Sequence, residues 1–166
     1  DLEAYTLRAT FRMFRGDYDQ VIADYTRVIE LTPKDMSAYR ARARAWSAKG
    51  DWDKALADYD TAIALEPQNN FTYLARARAW TVKKVWHEAI ADCNRAIALK
   101  PKDAGAYGSR AEVWRAKGDY DKVIADYTRA IELDPKDGEA YRGRAGAWVQ
   151  QEQFEKAIAD WDRIVA

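Results

Sequence analysis

Apolar residues recur along this chain at three- and four-residue steps, in blocks separated by short polar breaks. Tyr39, Ala43 and Trp46 form one block, and Trp52, Ala55, Leu56, Tyr59, Ala62 and Ile63 form the next. Such steps gather side chains on one face of a helix. No segment alternates with a period of two, so helices are expected throughout. Gly16, Gly50 and Gly118 are each followed by an aspartate, Asp17, Asp51 and Asp119. A residue free to turn left-handed ends one helix there, and an acidic N-cap opens the next. Asp1, Asp35, Asp103 and Asp137 stand where the first helix of each pair begins. Pro33, Pro67, Pro101 and Pro135 follow the second, where a residue without an amide hydrogen cannot continue a helix.

The prolines stand 34 residues apart, and most large side chains keep the same interval. This gives five units, roughly 2–35, 36–69, 70–103, 104–137 and a shortened 138–166, each a helix, a tight turn and a helix. Helices of about 13 residues are marginal alone, so neighbouring units must supply the stability, and one domain, 1–166, is expected. The chain opens at Asp1 without Met and stops inside its fifth unit, as expected of a segment cut from a longer protein.

The residues Tyr39, Ala43, Trp46, Gly50, Ala55, Tyr59, Ala62 and Pro67 resemble the tetratricopeptide repeat, a family defined by a 34-residue two-helix unit. Tyr107, Ala111, Trp114, Gly118, Val123, Tyr127, Ala130 and Pro135 repeat the match. The resemblance implies an all-α fold, a right-handed superhelical α-solenoid of five stacked helix-turn-helix repeats. Three departures stand out. Ala9, Ala43, Ala77, Ala111 and Ala145 replace a common glycine, which is expected to spread the helices slightly. Lys84 replaces the turn glycine of the third unit, and Cys93 its core aromatic.

All seven tryptophans and ten tyrosines occupy repeated positions. A side chain demanded by every unit is expected in the core, ahead of a role in stacking on bases. A polar ladder accompanies them. Arg8, Arg42, Arg76, Arg110 and Arg144 are matched sixteen residues on by Asp24, Asp58, Asp92, Asp126 and Asp160. Each arginine is expected to cross from first helix to second and pair with its aspartate, in preference to forming a phosphate-binding stripe.

Charge changes the picture little: 27 basic residues balance 27 acidic ones, which disfavours nucleic acid or an anionic membrane as partner. A single cysteine forbids an internal disulfide. His87 and Cys93 are six residues apart and share no helix face, so no metal set or nucleophile–base pair can be built from them. No phosphate-cradling glycine loop occurs. No catalytic residue, metal or cofactor is expected. Asn70-Phe71-Thr72 fits the glycosylation acceptor pattern, a short motif that arises often by accident.

The resemblance implies that first helices line a concave groove. Among the first-helix positions that vary, Phe71 and Leu74, with Val82, form an apolar spot beside Arg40, Arg44 and Arg78. Arg115 and Arg142 continue the set in later units. These residues suit a protein or peptide segment with an acidic group and a large apolar anchor. The alternative is an ordinary solvated surface on an architectural or oligomerisation segment of a larger protein. Thr6 and Thr10 stand where some family members place the Lys and Asn of a carboxylate clamp, so that receptor type is not expected. No polar capping helix follows the fifth unit, so Ile158, Trp161 and Val165 are expected to stay partly exposed, with self-association or another segment covering them.

Overall fold

The computed structural model describes residues 1–165. Among them are ten helices and no strand: α1 (Leu2–Arg15), α2 (Tyr18–Leu31), α3 (Met36–Lys49), α4 (Trp52–Leu65), α5 (Asn70–Val82), α6 (Trp86–Leu99), α7 (Ala104–Lys117), α8 (Tyr120–Leu133), α9 (Gly138–Gln150) and α10 (Phe154–Val165). They pack in consecutive pairs, α1 on α2, α3 on α4, α7 on α8 and α9 on α10, and the second helices α2, α6 and α8 pack on the first helix that follows. The chain divides into two compact units, Asp1–Ala79 and Trp80–Ala166.

The punctuation works as the residue types dictate. Gly16, Gly50 and Gly118 end their helices at φ 79°, 82° and 86°. The third and fifth turns keep that geometry without glycine, Lys84 at φ 60° and Glu152 at φ 59°. Asp1, Asp35, Asp103 and Asp137 accept hydrogen bonds from first-turn amides. Val85 stands at the N-cap of α6 and has no side-chain acceptor for such a bond. The leading tyrosines tie each unit to its entry loop: Tyr39, Tyr73 and Tyr107 each donate a 3.3 Å hydrogen bond to the carbonyl of Pro33, Pro67 and Pro101.

The innermost residues are small. Ala9, Ala43, Ala77, Ala111 and Ala145 are at most 1% exposed. In the compact unit Asp1–Ala79, Ala9, Val21, Ile22 and Ala45 form a buried cluster. In the other compact unit Ala111, Val123, Tyr127, Ala130, Ala140 and Ala147 do so. The aromatics correct the expectation of a uniformly aromatic core. Tyr59, Tyr73, Tyr127 and Tyr141 are buried, whereas none of the seven tryptophans is fully buried. Lys54, Lys122 and Lys156 lie over the rings of Trp46, Trp114 and Trp148 at 4.4, 4.3 and 4.4 Å. Each indole buries one side against the helices and offers the other to a cation whose ammonium stays in water.

The polar ladder takes the expected form in four units. Arg42 donates from Nε and Nη2 to both oxygens of Asp58 at 2.8 and 2.7 Å, and Arg110 does the same to Asp126 at 2.8 and 2.6 Å. Arg144 pairs with Asp160 and Arg8 with Asp24 in the same forked manner. The aspartates are almost wholly buried, so the fork replaces their lost hydration. Each inner arginine also uses Nη1 to reach back to the second helix of the preceding unit. Arg42 reaches Thr26 at 3.0 Å, Arg76 Asp60 at 2.6 Å, Arg110 Asn94 at 2.6 Å and Arg144 Thr128 at 3.0 Å. One guanidinium thereby fixes three helices, a role the pairing by itself does not reveal.

Candidate functional site on the first-helix face

Within the compact unit Asp1–Ala79 a recess of about 310 Å³ opens between three helices. α3 contributes Arg44, Ser47 and Ala48, α4 Trp52 and Tyr59, and α5 Ala75, Arg78 and Ala79. The small residues at 48, 75 and 79 make the space, and Tyr59, 3% exposed, forms its floor. Burial raises the Tyr59 phenol above its ordinary pKa, with the hydrogen bond to Ser47 and the charges of Arg44, Arg78 and Arg40 acting in the opposite sense. The site thus holds a neutral ring among three guanidinium groups.

Arg40 lies half-buried one turn before Arg44 on α3, while Arg44 and Arg78 are exposed. None of the three makes an ion pair among the described residues, although the ladder arginines around them are paired. Phe71 and Leu74 do not line the recess. They precede Arg78 by seven and four residues, which places them along the same side of α5, Phe71 57% exposed and Leu74 half-buried.

The later candidates stand differently. Arg115 binds Glu112 through Nε and Nη2, and Arg142 binds Glu139, each a glutamate three residues earlier on its own helix. Glu112 occupies the repeat position of Arg44, and the Tyr127 hydroxyl donates to it. Burial opposes the Glu112 charge, but the hydrogen bonds from Arg115 and Tyr127 outweigh it and hold the carboxyl below its usual range. Gly143, at the repeat position of Ala75, gives the Tyr127 ring its place: a Cβ there would lie 2.3 Å from it. The structure therefore brings Arg40, Arg44 and Arg78 together around Tyr59 in Asp1–Ala79 and neutralises Arg115 and Arg142 locally in the other compact unit.

The remaining motifs carry no chemistry. Cys93 is fully buried, and burial pushes its thiol up to about 12, far from a reactive thiolate. His87 is exposed, 3.3 Å from Glu88. Asn70 is 2% exposed and Thr72 fully buried, so folding hides the acceptor amide of the glycosylation pattern. Among the described residues no cluster could hold a metal ion, and no helix is long and apolar enough to cross a membrane.

Models of the tetratricopeptide repeat match residues 104–137 and, in two overlapping placements, 7–70 and 47–104. The chain belongs to the tetratricopeptide repeat family. Solved structures agree in fold. A tetratricopeptide repeat protein from Parabacteroides merdae is 21% identical with a TM-score of 0.85, over 99% of this chain and 64% of that one. MamA from Desulfovibrio magneticus RS-1 is 16% identical with a TM-score of 0.83, over 99% and 93%. YrrB, described as a TPR protein with an unusual peptide-binding site, is 18% identical with a TM-score of 0.70, over 99% and 85%. No curated protein sequence matches the chain.

Proposed function

We propose that this protein is a non-catalytic binding module that holds a segment of another protein against its first-helix face. The recess around Tyr59 is the anchor site. Arg40, Arg44 and Arg78 receive an acidic group, and Phe71 and Leu74 receive an apolar side chain along α5. Arg115 and Arg142 form a secondary contact that requires release from Glu112 and Glu139. The observation that carries this reading is the trio of arginines without carboxylate partners around a buried aromatic floor. Cations without a carboxylate partner have no ion pair to give up when they receive an anion. The likeness to YrrB, whose description names a peptide-binding site, supports the same class of partner. The chain is further read as one cooperative domain, with a single unfolding transition as its signature.

A display library of extended peptides selected on the wild-type protein tests the site. Enriched sequences should carry Asp or Glu near one large apolar residue. Their affinity should fall at least about tenfold in the Arg44→Glu, Arg78→Glu double variant, as expected when a charge-assisted contact becomes repulsion. Peptides without acidic residues, or equal binding by the variant, would refute the assignment. A second, architectural reading is favoured by one observation, the exposed apolar stripes on the outer faces of α1 and α10.

A further inference from the structure

Between successive repeats, a second helix meets the following first helix through polar contacts in fixed register, one made at four junctions and another at two. The first joins positions 26, 60, 94 and 128 to the arginine sixteen residues on. The second joins the start of the second helix to the end of the next first helix: Lys49 to Asp19, and Gln151 to Asp121 at 2.7 Å, each thirty residues apart. Continuing the 34-residue count past α10 places Asp162 and Glu155 in the two second-helix positions. Continuing it back to α1 places Arg8 and Arg15 in the two first-helix positions. Among the described residues Asp162 and Glu155 make no ion pair, and Arg8 hydrogen-bonds through Nε and Nη2, both to Asp24. Arg15 is held only loosely by Asp17, at 3.3 Å.

Apolar stripes run beside these charges. On α10, Ile158, Trp161 and Val165 are 53%, 44% and 84% exposed, and on α1, Leu7, Phe11 and Phe14 are 74%, 71% and 87% exposed. We propose that α10 of one copy docks on α1 of a second copy, head to tail, with Asp162 meeting Arg8 and Glu155 meeting Arg15 of the neighbour. The internal interfaces carry Ala45, Ala79, Val113 and Ala147 where α1 carries Phe11. The larger side chains hold the junction at a wider helix spacing than inside the chain, which makes it weaker and reversible. A heterologous contact of this kind either closes into a ring or continues as an open series. It is independent of the Tyr59 recess.

Sedimentation over about 1 µM to 1 mM, at low and at high salt, reads the association. The wild type should associate reversibly, and less at high salt. Glu155→Arg alone and Arg15→Glu alone should each weaken association roughly tenfold, and an equimolar mixture of the two should recover one cross-pairing junction per dimer. Arg44→Glu, Arg78→Glu should associate as wild type. A wild type that stays monomeric throughout overturns the proposal. So does association that responds to Glu155→Arg but not to Arg15→Glu, since that would mark pairing of α10 with α10. Circular dichroism confirms that each variant is folded, both substitutions being at exposed positions outside the forked pairs.

Discussion

Replacing Asp126 by asparagine should cost this protein more than any loss of a surface charge. Asp126 is 5% exposed and accepts two hydrogen bonds from Arg110, whose side chain is about a quarter exposed at 24%. The substitution sets an amide NH₂ against a guanidinium that has nothing but donors, and leaves that cation partly buried. Breaking a fully buried pair costs about 3–5 kcal/mol. The residual solvation of Arg110 and its bond to Asn94 lower this to about 2–3 kcal/mol. For a chain of this size that is a fall in Tm of about 5–10 °C. Urea and thermal unfolding followed by far-UV circular dichroism measure it. Glu132→Gln, which removes a partner from the exposed Arg129–Glu132 pair, is the control and should change stability by less than about 0.5 kcal/mol. If Asp126→Asn is as mild as the control, the guanidinium forks do not hold the helices in register.

The other expectations concern turns, packing and titration. Lys84→Gly should stabilise the protein by about 0.5–1 kcal/mol in urea unfolding, because relief of a left-handed conformation exceeds the added chain entropy. Val85→Asp should add roughly 1 kcal/mol by capping α6. Gly143→Ala should destabilise by about 1–2 kcal/mol despite better helix propensity, since its Cβ meets the Tyr127 ring; a stabilised variant would show that the ring swings aside freely. Cys93 should resist a thiol reagent in the native state and react only on unfolding, and rapid native labelling would contradict its burial. At Asp24, burial raises the carboxyl pKa but the hydrogen bonds from Arg8 and Arg12 prevail, and its folded value lies below the ordinary one. Its contribution is therefore complete above the unfolded value near about 4 and is lost as pH falls through the lower folded value. Asp24→Asn should flatten that acid limb of the stability profile, and an unchanged limb would dismiss the linkage.

Much of this was legible in the chain because the repeat writes each rule several times. The Gly-Asp turns, the aspartate caps and the pairing of Arg42 with Asp58 follow from spacing alone. The third contact of each arginine was hidden although it keeps the same period, because threonine, aspartate and asparagine share the position and only their polarity is common. The candidate arginines looked alike along the sequence. Arg115 and Arg142 are neutralised because a glutamate happens to lie three residues before each, whereas Arg44 and Arg78 face small residues and a buried tyrosine.

Periodicity by itself determined the helices, their ends and the order in which they pack, since these depend on residues near in sequence or one period apart. Tertiary structure decided which charges are satisfied and which side of each indole meets water. Those outcomes depend on the distance between side chains of different helices and on the solvent left between them, and a list of residue types contains neither.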